Sequence, residues 1–447
     1  MKKGMFFALA ASSLLFSACS SDDAVVSTEG QNEAVQQIVL HVASSGDGLS
    51  TRAGRPLYSS QALQTIQNVR VVIYNADTKE IVKDATQDWT KSTTYNNHGH
   101  GRQFTLTFKG NDRLEKGNYK VMAVGYSNES DYEYSLNATS AVDLTYNDIT
   151  ATLKAGKKEA EEVFAGDADL KIGDDKKITN LTSGEENGVA VTLHRQVAGS
   201  FGYFQNIPAS VNGKAAATLR LVVRDKNDVL TFNNFNSSFT ANGATGSTIK
   251  YYVNGSKSTS AATADAKFYN NEDGYVLYSI NLSKWFTEGD KNKDGLLNAE
   301  DTWQHPSSVN TQVVKGSVFG SNFVIPFNYA KGKSTMELQL LDAENNIIKT
   351  WTVSIPKDDV NTDTANGVTD ASTSIFNVVR NHMYNLGVKT SNGTKPDPSN
   401  PDPKPTDPDP DKPKPGTDEP EDLSKSQNLI LKVNDNWEAI HKMELGD

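Results

Sequence analysis

The sequence predicts an all-β protein built as two β-sandwich domains, and three observations predict it. Short runs rich in β-branched and aromatic residues recur through the body of the chain, many alternating apolar with polar positions. Gly, Asn and Asp clusters punctuate these runs at the spacing of turns. Helical periodicity over ten or more residues is scarce, with Ser60–Asn68 and Lys157–Phe164 as the only short candidates. Strands of this kind bury one face each, and a second sheet is the usual cover.

The elements follow in order. Lys2 and Lys3 precede an apolar run from Met5 to Phe16, too short to span a bilayer, and Ser17-Ala18-Cys19 follows. This reads as a lipoprotein signal peptide over residues 1–18 with Cys19 as the lipid acceptor. Cys19 is the one cysteine in 447 residues, so disulfides contribute nothing and a large core must hold the fold. The stretch 19–52 contains the strand Gln37–Ala43, with Ile38, Leu40 and Val42 on one face. The first sandwich, 53–187, holds strands Val69–Tyr74, Phe104–Phe108 and Tyr119–Val124. The polar stretch Thr182–Asn187 marks a boundary, and the second sandwich, 188–393, holds Val189–Leu193, Leu219–Val223, Tyr275–Ile280, Met336–Leu340 and Thr350–Ile355.

A linker over 394–422 carries ten of the fifteen prolines. Such a tract cannot bury enough apolar surface to fold and favours extended conformers. Fully extended, its stretch from Lys395 to Asp422 reaches about 87 Å at about 3.1 Å per residue. The segment beyond it, 423–447, is apolar at strand spacing: Leu429, Leu431 and Val433 share one face, as do Trp437, Ala439, His441, Met443 and Leu445. So short a piece builds no core of its own and needs a groove elsewhere. Adding it to a neighbour's open sheet gives each copy one strand to donate and one to accept, the geometry of an open filament.

Charge and motifs narrow the function further. A formal net charge of -11 argues against nucleic-acid partners. No nucleophile elbow, phosphate loop, zinc helix or paired catalytic carboxylate stands out, so no enzyme activity is expected. His98 and His100 lie in a glycine-rich hairpin tip without acidic or cysteine partners at ligand spacing. The ligand-like motif is Asp290–Asp301, a twelve-residue loop for one structural Ca2+. Asp290, Asn292, Asp294, Asn298 and Asp301 supply side-chain oxygens, Leu296 a carbonyl, and Gly295 the turn. Trp303 and Pro306 follow closely and leave no room for a long exit helix, which suits a structural ion better than a sensor.

Four motifs in order carry a resemblance. They are the lipobox leader; the strand Ile38–Ala43 followed by Ser50-Thr51-Arg52-Ala53-Gly54; Leu193-His194-Arg195-Gln196-Val197-Ala198; and Val379-Arg380-Asn381-His382-Met383-Tyr384-Asn385-Leu386. Together they resemble the Bacteroidetes fimbrillins, the type V pilins. Ser20-Ser21-Asp22-Asp23 resembles the acidic surface-export tags of lipoproteins from the same phylum. The resemblance implies two transthyretin-like sandwiches and a precursor lipid-anchored to the outer membrane. It implies cleavage by an arginine-specific surface protease, which removes 19–52 as a propeptide with its first strand, and assembly into adhesive surface fimbriae with copies of itself and with anchor and tip subunits. Removing the first strand would unpair backbone groups and bare an apolar groove. Arg52 and Arg55 are the candidate cut sites. Arg55 precedes Pro56, whose ring hinders attack on that peptide bond, so the expected mature N-terminus is Ala53.

The expectation is therefore a fimbrial stalk subunit. The alternative is a surface lipoprotein that binds glycan or a host protein through loop aromatics such as Tyr251, Tyr252, Trp285 and Trp303, without polymerising. A calcium-dependent hydrolase is a third reading and lacks visible catalytic residues.

Overall fold

The computed structural model describes residues 35–44, 66–89, 93–95, 101–127, 131–135, 150–157, 160–180, 188–232, 254–259, 263–309, 313–327, 336–354, 378, 380, 383–387, 418–425, 428–430 and 432–434. Strands dominate them. The first are β1 (Val35–Ser44), β2 (Asn68–Asn75), β3 (Ile81–Asp88), β4 (Thr93–Tyr95), β5 (Gly101–Lys109) and β6 (Gly117–Tyr126). There follow β7 (Tyr132–Ser135), β8 (Thr150–Leu153), β9 (Phe164–Ile172), β10 (Gly188–Arg195) and β11 (Ala198–Gln205). Short strands β12 (Ile207–Pro208), β13 (Ser210–Val211) and β14 (Lys214–Ala215) lead to β15 (Thr218–Val223), β16 (Val229–Thr231) and β17 (Gly255–Ser256). Next come β18 (Ala266–Lys267), β19 (Asp273–Asn281), β20 (Leu296–Leu297), β21 (Ser317–Val324), β22 (Met336–Leu341) and β23 (Ile347–Ser354). The last are β24 (Met383–Leu386), β25 (Glu421–Asp422), β26 (Asn428–Ile430) and β27 (Lys432–Asn434).

The first half is a sheet in the order β3-β2-β6-β9-β10-β1-β5-β4. β9 and β10 pair only at Ala165–His194 and Phe164–Arg195, so the sheet folds over at that point into two layers. Alternation explains what lies between them: Val69, Val71 and Ile73 from β2, Val121 and Ala123 from β6, and Val189, Val191 and Leu193 from β10 form one core with Ile38 of β1. The opposite faces of β2 and β6 are buried too. Val72, Met122 and Val124 join the core of the second half, so apolar packing runs across both halves of the molecule.

The second half pairs β21-β11-β24-β27 in one sheet and β18-β19-β15-β22-β23-β26 in another. Phe201 and Tyr203 of β11, Leu219 and Leu221 of β15, Leu338 and Leu340 of β22 and Trp351 of β23 fill the space between. A small sheet, β17-β16-β8-β7, joins strands from both halves.

The all-β sandwich expectation holds, and all eight runs of the two predicted sandwiches coincide with strands. Two local expectations do not. Lys157–Phe164 forms no helix in its described part; Ala160 makes a bridge to Phe323 and Phe164 opens β9, because both side chains are needed in the core. Gly188–Arg195, assigned to the second sandwich, pairs with β1 and β9 in the first, since Val189, Val191 and Leu193 face that core. The crossing between halves falls at Gln196-Val197.

Candidate functional site

β1 lies inside its sheet. It runs antiparallel to β5 from Val35 to Ala43 and parallel to β10 from Val39 to Ser44. β10, nearly 150 residues later in the chain, covers the side of β1 that β5 leaves open. Taking β1 away would leave unpaired N–H and C=O groups on both β5 and β10. Ile38, 0 % exposed, fills the core beneath it.

One polar side chain fixes the register of β1. Gln36 is 6 % exposed, and its carboxamide is fully paired. Oε1 accepts from the Leu114 N–H at 2.7 Å, while Nε2 donates to the Leu114 carbonyl at 3.2 Å and to the Lys176 carbonyl at 2.7 Å. The loop after β5 and the turn after β9 are thereby tied to β1. Lys176 holds a left-handed backbone with φ +59° in that turn, which aims its carbonyl at the amide. Sequence reasoning passed over Gln36; the only signal was an amide pair opening an otherwise apolar strand.

The C-terminal segment is docked on the second half of its own chain. Glu421–Asp422 pairs in parallel with Phe204–Gln205, and the Leu423 N–H donates to the Gln205 carbonyl at 3.1 Å. Tyr203 Oη donates to Asp418 at 3.2 Å, and Asn206 Nδ2 donates to Asp422 at 3.0 Å. Burial pushes the Tyr203 phenol up, with Asp418 adding to the effect. Gly387, at φ +77°, leaves room here: a Cβ would stand 2.5 Å from the Tyr203 carbonyl. Leu423 is 0 % exposed and Leu429 1 %, both in the core of the second half. Asn428–Ile430 adds in parallel to β23, and Lys432–Asn434 adds antiparallel to β24. The end of the proline tract, expected to run free to Asp422, is thus packed from Asp418 onward, because one buried leucine and a short ladder anchor it.

Of the other predicted site residues, Cys19, Arg52, Ala53, Arg55, Leu431 and Trp437 lie outside the described residues. So do His98 and His100. Val433 lies in β27, opposite Tyr384.

The Asp290–Asp301 loop is described throughout. Its side-chain oxygens turn inward onto the loop's own amides: Asp290 Oδ2 accepts from Gly295 N at 2.9 Å and Asp294 Oδ1 from Leu296 N at 2.8 Å. Asp301 accepts from Lys291 N at 2.8 Å and Asn298 N at 3.0 Å. The Leu296 N–H, then the carboxamides of Asn298 and Asn292, hold the Asp294 carboxyl below its ordinary range despite some opposing desolvation. Gly295 has φ +86°, the left-handed turn its position requires. Asp290 Oδ1 is buried without a partner. Among the described residues, no three His, Cys, Asp or Glu side chains gather as a metal cluster. Of the six expected oxygen donors, three are Asp side chains, two are Asn side chains and one is the Leu296 carbonyl.

A buried ion pair sits where the halves meet. Glu162 Oε1 accepts from Arg195 Nε at 2.8 Å, and the guanidinium lies 5.0 Å from the Phe164 ring centroid.

No family model and no curated protein matches the chain. Solved structures do. A fimbrial assembly protein from Parabacteroides distasonis aligns at 14 % identity and TM-score 0.33, over 81 % of this chain and 94 % of that one. A fimbrial tip protein from Porphyromonas gingivalis with a C-terminal truncation aligns at 10 % identity and TM-score 0.29, over 78 % of this chain and 94 % of its own. The fimbrial anchor protein from Porphyromonas gingivalis aligns at 8 % identity and TM-score 0.32, over 78 % and 90 % respectively.

Proposed function

We propose that this chain is a subunit of a cell-surface fimbrium that assembles by exchange of strands, in the stalk, like the stalk subunit of the short Porphyromonas fimbriae. An outer-membrane precursor lipidated at Cys19 is cut after Arg52 by an arginine-specific surface protease. The segment carrying β1 leaves, and the slot between β5 and β10 receives the C-terminal strand of a neighbouring copy. Anchor and tip subunits are the further partners.

The observation that carries this reading is the place of β1, paired along both edges inside a sheet yet N-terminal to the cut site. Its departure creates a demand for a strand that no solvent can meet as well. The ladder lengths favour the transfer: the slot offers pairing along Val35–Ser44, whereas among the described residues the docked C-terminal segment pairs in short pieces at Glu421–Asp422, Asn428–Ile430 and Lys432–Asn434. One Ca2+ in the Asp290–Asp301 loop, held by Asp290, Asn292, Asp294, the Leu296 carbonyl, Asn298 and Asp301, would stiffen the second half; the partnerless Asp290 Oδ1 supports this.

The docking of Leu423 and Leu429 in the same chain favours a second reading, a surface lipoprotein that binds glycan or a host protein as a monomer. Arg52→Ala separates the two. Under the first reading the variant stays lipidated and forms no filaments on electron micrographs of labelled cells, while wild type sheds protein beginning at Ala53. Filaments formed equally by the variant and wild type would remove the first reading.

A further inference from the structure

We infer that the donated strand is read residue for residue in the register of β1, with Gln427 of the donor copy taking over the clamp now made by Gln36; this rests on the strand-exchange reading above. Gln36-Gln37-Ile38-Val39-Leu40-His41-Val42 and Gln427-Asn428-Leu429-Ile430-Leu431-Lys432-Val433 match in kind at every position. Two amides come first, then three aliphatic residues, then a basic one, then valine. The repeat joins the strand that leaves to the strand proposed to replace it.

The slot has a reason to demand this register. With β1 gone, the Leu114 N–H and carbonyl and the Lys176 carbonyl lose the carboxamide that satisfies all three. These groups call for one acceptor and two N–H donors at a single side-chain end, a set that only Asn and Gln carry. A slip of two residues one way sets Leu429 against these three groups. A slip the other way carries the Gln427 carboxamide to the position of Ile38, which is wholly buried among apolar residues. A slip of one residue turns every side chain to the wrong face. Each alternative strands a buried polar group, so the amide acts as a stop that halts the strand at one place.

The β1–β5 ladder supplies the test. Gln37 stands opposite Thr107, so Asn428 of the donor is expected opposite Thr107 of the acceptor. Thr105, Thr107 and Lys109 are exposed, which makes them tolerant of substitution. Full-length precursors carrying Asn428→Cys with Thr107→Cys, Thr105→Cys or Lys109→Cys would be processed, assembled and oxidised. Directly opposed residues lie close enough to bridge, and diagonal neighbours do not. A covalent ladder of subunits with Thr107→Cys alone supports the register. A ladder with Thr105→Cys or Lys109→Cys overturns the register and leaves strand exchange standing. Filaments that give no ladder with any of the three overturn both. A second measurement avoids engineered cysteines: Gln427→Leu filaments should shed subunits at least about tenfold faster than wild type, the factor that one unpaired buried polar group carries, while the precursors melt alike. Equal shedding overturns the proposal.

Discussion

Replacing Leu423 by alanine should destabilise the second half of the molecule, although the residue sits just past a tract that looks like free linker. Leu423 is 0 % exposed and packs in the large core, and its N–H donates to the Gln205 carbonyl. Leu→Ala at such a site costs about 2–5 kcal/mol, combining lost transfer energy with the cavity left behind. The backbone hydrogen bond survives the change, so the middle of the range, about 3 kcal/mol, is the working figure. For a cooperative unit of this size that corresponds to roughly 6–12 °C in melting temperature. Thermal and urea unfolding of the precursor would read it, with an unchanged urea slope showing that stability alone has moved. Ser424→Ala is the control: its side chain is exposed and bonds only Asp422, so less than about 1 kcal/mol is expected. If Leu423→Ala melts with wild type, the docked segment adds nothing to the fold. Deletion of Leu423–Asp447 would then leave the core intact, as composition alone suggests.

Calcium should raise the melting temperature of wild type and leave Asp290→Ala with Asp294→Ala unmoved; equal responses would reduce the loop to a turn. Acid should weaken the second half between about pH 4 and 2. There the Asn346 carboxamide and the Lys214 ammonium hold the Asp342 carboxyl at about 2, against some desolvation. Burial pushes the Asp422 carboxyl up, but Ser424, Lys425 and Asn206 outweigh it and bring it to about 2. Depressed carboxyls stabilise above their unfolded value near 4 and lose that contribution as pH falls toward 2, so Asp342→Asn with Asp422→Asn should flatten an acid-unfolding curve. Glu162→Ala should cost about 3–5 kcal/mol by urea unfolding, because it removes a buried charge partner of Arg195. A loss under about 1 kcal/mol would mean the site admits water.

Local pattern was legible and long-range pairing was not. Val69, Val71 and Ile73 recur at a period of two, which places one buried face of β2; Val72 between them is buried on the other face. The left-handed turn at Gly295 was legible for the same reason, since it follows from the spacing of the twelve residues around it. That β10 covers β1 depends on a crossing between strands far apart in the chain, and no spacing records it. Leu423 is a single apolar residue behind Glu421-Asp422, with no periodicity to mark it, and only the Gln205 and Tyr203 side of β11 gives it a place. Gln36 reads as an ordinary polar residue until Leu114 and Lys176 are brought beside it. Lys157–Phe164 shows tertiary packing overruling a weak helical pattern.

The chain passes from the first half to the second through Gln196 and Val197, both 0 % exposed. Gln196 N donates to the Val163 carbonyl, and the Gln196 carbonyl accepts from Asn254 Nδ2 at 3.0 Å. A joint so short and so thoroughly bonded leaves no pivot. A pull applied to β11 passes directly to β10 and, across the ladder, to whatever strand lies in the slot beside it. Tension along the chain then loads that ladder lengthwise, so its hydrogen bonds resist together in shear instead of parting one at a time.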